Sequence, residues 1–312
     1  MLTSPFPIYR SVLHPDALIA QVLAQYALGD DPLTCHLYSR GINDVYQVAA
    51  GPHRWMLRVT AANGQTPAAV HSEIDLLRYL DAANIPVAVP VPRRDGDYLT
   101  FLAAPEGTRT AVLFEYVDQF HTRTPTPEQA RQYGAALARM HLAADTYPAA
   151  LQRPFHNQHS FIDEPLAHLE SFSWFAGRTA ELAYLRATAP QLWEQAQRLP
   201  KTAPQYGFCH CDAMSGNAFY GDDGTVTLID FDYGGIGWRV YDLATYLWVL
   251  IVDGPELNWS QQPVFRALLA GYQSVRPLTA VEFEALPVFA ALRQLFLFGA
   301  AIKYSPGFGV QW

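Results

Sequence analysis

The chain has 312 residues, half of them hydrophobic and only 16% charged, with a formal net charge of −8. This composition excludes a disordered or low-complexity protein and supplies enough apolar surface for two lobes, while the acidic balance argues against a nucleic-acid partner. Cys35, Cys209 and Cys211 form an odd set with no disulfide framework, which points to a reducing compartment.

After Pro15-Asp16, the apolar positions Leu18, Val22, Leu23 and Tyr26 predict a helix ending at Gly29. Strands are predicted over 34–39, 45–50, 54–59, 98–102 and 111–117, where β-branched and aromatic residues cluster between turn residues. Between the third and fourth, Thr66-Pro67 opens a helix with Val70, Ile74, Leu77 and Leu80 as its apolar stripe. The first lobe is therefore a five-stranded, mostly antiparallel sheet with a helix against it. The lobe boundary is expected near residues 116–120, giving lobes of 1–117 and 118–312.

Beyond it the pattern turns helical. Thr126-Pro127-Glu128-Gln129 combines a capping box with proline at the first helical position. Further helices are predicted over 163–172, 178–199, 240–252, 263–275 and 279–302, with Pro287 expected to kink or shorten the last. No basic segment leads into an apolar stretch at the N-terminus, so no signal peptide is expected. Residues 243–252 are too few to span a bilayer, and residues 286–302 are interrupted by Arg293 and Gln294. Both read as buried helices of a cytoplasmic protein without a membrane anchor.

The most informative stretch is His210-Cys211-Asp212-Ala213-Met214-Ser215-Gly216-Asn217, followed by Leu228-Ile229-Asp230-Phe231-Asp232. An aspartate, an asparagine five residues on and a second acidic pair after an apolar run stand in the order that kinase-type phosphoryl transfer uses. That chemistry asks mainly for positioned charge: one carboxylate orients the attacking hydroxyl, and oxygen ligands hold Mg²⁺ against nucleotide phosphates. Asp212 fits the first task, and Asn217 with Asp230 the second. The Gly221-Asp222-Asp223-Gly224 turn and the run 225–229 predict a hairpin after the loop. Cys209-His210-Cys211 lacks the second Cys/His pair of a zinc site, and His156-Asn157-Gln158-His159 lacks the glutamate of a zinc-protease helix.

In the first lobe, alternation along residues 55–59 places Trp55, Leu57 and Val59 on one face and Met56 and Arg58 on the other. Arg58 is the candidate to grip the α- and β-phosphates of ATP. Glu73 shares a helix face with Leu77 and Leu80 and is the candidate partner that holds the guanidinium. The turn containing Gly41 and Asn43 is the candidate phosphate cover. Glu115 and Val117, ending the last strand, offer backbone groups for an adenine edge.

With these residues assembled, the chain resembles the aminoglycoside phosphotransferase and choline kinase superfamily. The last two blocks are similar to homoserine kinase type II and bacterial stress-response kinases. The resemblance runs over 41–46, Arg58, Glu73, 210–217 and 229–244. It implies an α+β, protein-kinase-like bilobal fold, with a small antiparallel-sheet lobe and a larger helical one. It also implies that Asp212 is the base or hydroxyl-orienting residue, Asn217 and Asp230 are Mg²⁺ ligands, Asp242 is a buried brace and His210 a structural member of the loop. Two departures stand out: Cys211 replaces the family's glycine, and Arg58 its lysine. A side chain at 211 is expected to require an ordinary backbone conformation there.

The expected activity is ATP- and Mg²⁺-dependent transfer to a hydroxyl of a small molecule: an antibiotic, an amino alcohol or a homoserine-like metabolite. The acidic balance tilts this toward an amine-bearing acceptor. The alternatives are a Ser/Thr protein kinase of the same superfamily and a catalytically weak nucleotide-binding scaffold.

Overall fold

The computed structural model describes residues 8–62, 64–153, 156–253 and 259–308. These divide into two compact units, one within Met1–Arg78, Ala88–Val117 and Tyr304–Trp312, the other within Tyr79–Val87 and Asp118–Lys303.

The first unit is built on a five-stranded sheet of order β1-β2-β3-β5-β4: β1 (Leu33–Arg40), β2 (Asp44–Ala50), β3 (His53–Val59), β4 (Thr100–Ala104) and β5 (Gly107–Glu115). Every pairing in it is antiparallel. One face carries Tyr46, Val48, Ala50, Trp55, Leu57, Val59, Ala111 and Leu113, all buried against Leu18, Val22, Leu23 and Tyr26. Those four residues come from α1 (Pro15–Gln21) and the turn after it. The helix stops at Gln21, well before Gly29, because Val22 to Gln25 tighten into a 3₁₀ turn and Tyr26 then bridges Arg93 as extended chain. Asp44 is fully buried and pairs with Arg109 at 2.7 Å, while Arg10 donates both to Asp44 and to the carbonyl of Gly41. The turn at Gly41 is thus tied down by the segment preceding α1.

α2 (Pro67–Ala82) begins where Thr66-Pro67 predicts, and Thr66 Oγ1 accepts from the N–H of Ala69 at 3.2 Å. Its Val70, Ile74, Leu77 and Leu80 are buried, as the stripe requires.

In the second unit, α3 (Pro127–Asp145) starts at the capping box, with Thr126 and Gln129 bonded reciprocally. It packs on α7 (Pro263–Gln273) through glycines. A Cβ built on Gly134 would lie 2.1 Å from the Leu268 carbonyl oxygen, and one on Gly271 would lie 1.8 Å from that of Arg131. Only residues without a side chain allow that approach. Between them come α4 (Glu164–Ser171), entered by a wide helical turn at His159–Asp163, α5 (Thr179–Ala196) and α6 (Val240–Asp253). The final helix, α8 (Ala280–Phe308), runs through Pro287 without a break. Pro287 and Phe283, the residue whose carbonyl loses its partner, both lie on exposed surface, where that loss is tolerable. By length and composition α8 is apolar enough to cross a membrane, with a window of mean hydropathy 1.7.

Two small sheets carry the loops with the candidate site residues. β7 (Tyr206–Cys209) pairs antiparallel with β10 (Gly235–Trp238), and β6 (Phe120–His121), β8 (Ala218–Tyr220) and β9 (Val226–Leu228) form a three-stranded sheet. Residues 210–217 link β7 to β8, and residues 229–234 link β9 to β10, so each loop starts on a strand paired with the one on which the other ends.

Candidate active site

Asp212 lies three residues beyond the end of β7 and is partly buried, its side chain 16% exposed. Asn217 Nδ2 donates to Asp212 Oδ2 at 2.7 Å and to the Asp212 carbonyl at 2.9 Å. Both partners are acceptor oxygens, so the amide nitrogen has to face them and Asn217 Oδ1 is turned the other way. The N–H of Ile229 donates to the Asn217 carbonyl at 3.0 Å, which sets Asn217 beside the segment carrying Asp230. Asp230 is exposed and takes a left-handed backbone at φ +63°. An amide and a carboxylate residue therefore stand on hydrogen-bonded segments. That donor set suits Mg²⁺, which takes one or two protein oxygens and fills its octahedron from phosphates and water.

The loop's backbone is fixed from beneath. Asp242, near the start of α6, is fully buried; its Oδ2 accepts from the N–H of His210 and its Oδ1 from that of Cys211, each at 2.7 Å. His141 Nε2 donates to the same carboxylate at 2.9 Å, and His141 Nδ1 lies 2.8 Å from Tyr272 Oη. Burial pushes His141 down to about 4, so it is neutral near pH 7 and donates as an imidazole. Burial works to raise the Asp242 carboxyl, but the hydrogen bond and charge interaction with His141 and the loop N–H groups outweigh it, and the net direction is down. His210 itself is buried, donates from Nε2 to the Ile229 carbonyl at 2.8 Å and packs on Phe231. It thereby joins the two loops.

Cys211 corrects an expectation. Its φ is +65°, in the left-handed region, so the side chain has not forced an ordinary backbone. That conformation costs a non-glycine residue about 1–2 kcal/mol, and three contacts hold it. Asp242 takes the N–H, Arg293 Nη1 donates to the carbonyl at 2.8 Å, and His156 Nε2 lies 2.9 Å from Sγ. Burial raises the Cys211 thiol well above its usual range and pushes His156 down to about 4, so both are neutral.

Several of these partners escaped the sequence reading. Arg293, on α8, is 1% exposed and forms an ion pair with Asp212 Oδ1. Its signal was a cation interrupting an apolar run. His141 sits on the buried face of α3, and Arg153 braces the other loop by donating to the carbonyls of Phe231 and Gly234 at 2.8 and 2.7 Å. Neither carries a local signal.

In the first unit, Arg58 Nη1 donates to Glu73 Oε1 at 2.8 Å, with both side chains buried and the guanidinium 5.1 Å from the Phe114 ring centroid. Glu73 is thus part of the packed face of α2 rather than a flank. At Gly41 the chain bends, and its N–H donates to the Asn43 carbonyl at 3.0 Å. Glu115 only partly fits its expected use: its N–H is taken by the Val89 carbonyl at 2.9 Å, because residue 89 runs alongside β5. The Glu115 carbonyl and the backbone of Val117 are what this strand end can offer a base.

The described geometry matches known proteins over most of its length. A family model described as the phosphotransferase enzyme family (APH) matches residues 37–278. An uncharacterized protein of Deinococcus radiodurans is 35% identical over 309 residues, covering 98% of this chain and 87% of that protein. The homoserine kinase of Agrobacterium fabrum is 31% identical over 219 residues, 70% of this chain and 63% of the kinase. Among solved structures, a microcompartment-associated aminopropanol kinase superposes with a TM-score of 0.75 at 25% identity, covering 94% of both chains. Amicoumacin kinase hAmiN, in complex with AMP-PNP, Ca²⁺ and Ami, gives 0.77 at 18%, covering 92% of this chain and 86% of that one, a likeness of fold. With the α+β, protein-kinase-like fold established, the chain belongs to the phosphotransferase enzyme family and is a kinase-type transferase with an alcohol group as acceptor.

Proposed function

We propose that the protein transfers the terminal phosphoryl group of ATP, with Mg²⁺, to the hydroxyl of a small amino alcohol. The observation that carries this reading is the fixed carboxylate of Asp212, anchored by Asn217 at 2.7 Å while Asn217 Oδ1 stays turned away. The relatives support the acceptor class: homoserine and aminopropanol, which name the kinases at 31% and 25% identity, each carry an amine and a hydroxyl. A net charge of −8 favours encounter with an amine-bearing acceptor.

In this reading residues 1–117 form the nucleotide lobe and residues 118–312 the acceptor lobe. Arg58, held by Glu73, grips the α- and β-phosphates as a fixed fork, the turn at Gly41 and Asn43 covers them, and the Glu115 carbonyl with Val117 meets the base. Asp212 accepts the hydrogen bond of the acceptor hydroxyl and points its oxygen at the phosphorus for in-line attack. No covalent enzyme intermediate forms. Asn217 Oδ1 and the Asp230 carboxylate would hold Mg²⁺, whose charge, when bound, offsets that of the phosphate oxygens. The protein acts in the cytoplasm, as a metabolic kinase needs.

The test is ADP release over a panel of amino alcohols, hydroxy amino acids and aminoglycosides, with Asp212→Asn as the control. Turnover on an amino alcohol that falls by at least about 1,000-fold in the variant supports the reading. Labelled phosphate entering lysate proteins instead would make it a protein kinase. ATP-induced thermal stabilisation without turnover on any acceptor would make it a scaffold.

A further inference from the structure

We infer that Arg293 is a positioning residue for phosphoryl transfer, a clamp from α8 that fixes the Asp212 carboxylate and balances its charge; this rests on the reading above. A cation in the middle of so apolar a helix has to be compensated where it lies. Arg293 is 1% exposed, too covered to meet an acceptor itself. Its guanidinium donates to the Cys211 carbonyl at 2.8 Å, meets Tyr241 Oη at 3.5 Å and pairs with Asp212 Oδ1. One fork therefore spans the peptide before the catalytic carboxylate and the carboxylate itself.

With Asn217 on Oδ2 and Arg293 on Oδ1, both oxygens of Asp212 are anchored, yet the side chain keeps 16% of its surface open. A carboxylate held at both ends presents its remaining lone pairs in one direction only. That is what orienting a hydroxyl requires, since misplacement by about 1 Å costs about 100-fold. The clamp is itself anchored. The Arg293 guanidinium lies 5.9 Å from the ring centroids of Trp248 and Phe296, and Trp248 Nε1 donates to Gln294 Oε1 at 2.8 Å. A hydrogen bond thus joins α6 to α8 beside the charge.

The charge balance has a consequence for recognition. Asp212 faces the transferring phosphoryl group, which is negative; paired with a buried guanidinium it does so as half of a neutral pair. The same pairing removes Asp212 as the group that would bind an acceptor's amine. Asp212 recognises the hydroxyl, and the amine is read elsewhere.

The test uses the full chain and three variants. R293M, similar in length and uncharged, is expected to lower kcat about 100-fold with KM for ATP within about threefold. R293K keeps the charge but not the fork and is expected to fall about tenfold. R293M in the Asp212→Asn background is expected to be no slower than Asp212→Asn alone, because the clamp acts only through that carboxylate. A merely structural arginine would instead lower the melting temperature with kcat per folded molecule unchanged, or add its loss to that of Asp212→Asn. Either result overturns the proposal. If R293M does not fold, R293K decides: wild-type kcat in it is the overturning result. A crystal structure of R293M, or of R293K in that case, is the second readout. Asp212 swung off Asn217 supports the clamp, and Asp212 unmoved overturns it. This arm stands even if the wild-type chain turns over no acceptor, a failure that would belong to the function proposed above.

Discussion

His141 and His156 make folding stability fall on mild acidification. Both are buried and both are pushed down to about 4 by desolvation. In the unfolded chain each titrates near its ordinary value of about 6.5. Between those values the unfolded state binds a proton that the folded state refuses. Stability therefore rises with pH across this window, and it is lost as pH falls from about 6.5 toward 4. Each histidine contributes up to about 1.4 kcal/mol per pH unit, or roughly 3 kcal/mol over the window, against a total stability of about 5–15 kcal/mol. Asp242 acts in a lower range. Its folded value is depressed, so its contribution is present above the unfolded carboxylate value of about 3.9 and fades as pH falls through its own. Urea unfolding from pH 7.5 to 4.5, followed by tryptophan fluorescence, to which the edge-on pair Trp193 and Trp238 at 5.5 Å contributes, measures the slope. His156→Phe isolates one of the two protons, since rings of Phe161 and Tyr241 already flank the site at 5.3 and 5.6 Å. Its slope should drop by about one proton. A wild-type stability flat between pH 6.5 and 5, or an unchanged slope in the variant, would refute the argument.

Asp230→Asn should weaken Mg²⁺-dependent ATP affinity at least about tenfold while leaving the melting temperature of the nucleotide-free chain within a degree or so, since the side chain is exposed; calorimetry with and without Mg²⁺ reads both. Asp242→Asn should cost at least about 1–3 kcal/mol, because its buried carboxylate accepts two loop N–H groups and His141, and an amide cannot accept from all three; wild-type unfolding free energy would contradict this. Gly271→Ala should destabilise by about 1–3 kcal/mol, its Cβ meeting the Arg131 carbonyl at 1.8 Å and forcing α3 and α7 apart. Activity per folded molecule should survive, which a thermal melt and an assay on the same sample would show.

The parts legible in the sequence share one property: their signal is local. Alternation along Trp55 to Val59 separates the core-facing residues from Arg58, and the structure buries Trp55, Leu57 and Val59 together. Thr126 and Gln129 announce the start of α3 through four adjacent residues. Helix ends were harder. α1 stops at Gln21 because Tyr26 is drawn into a bridge with Arg93, a partner 67 positions away. Pro287 was expected to disturb the last helix and does not, since the local cost falls on exposed chain. Of the candidate site, the residues spaced along one loop were readable from chemistry. Cys211 was misread because what holds its left-handed backbone comes from Asp242, His156 and Arg293, none within 30 residues.

One of those distant partners, Asp242, belongs to a continuous polar path through the second unit. Arg276 donates to Tyr272 Oη at 3.3 Å, the hydroxyl lies 2.8 Å from His141 Nδ1, and His141 Nε2 donates to Asp242 at 2.9 Å. A neutral His141 carrying its proton on Nε2 accepts on Nδ1, so the three bonds from Arg276 to Asp242 run the same way and strengthen one another. The path ends at the N–H groups of His210 and Cys211. It begins at Glu282, which pairs with Arg276 at 2.6 Å and also takes part in the cap that opens α8. Eleven residues on, the same helix brings Arg293 to Asp212. α8 therefore reaches the loop twice, through the path to the backbone N–H groups and directly to the carboxylate. A displacement of α8 along its axis would disturb both, so this helix sets the geometry of Asp212 together with Asn217 from the loop itself.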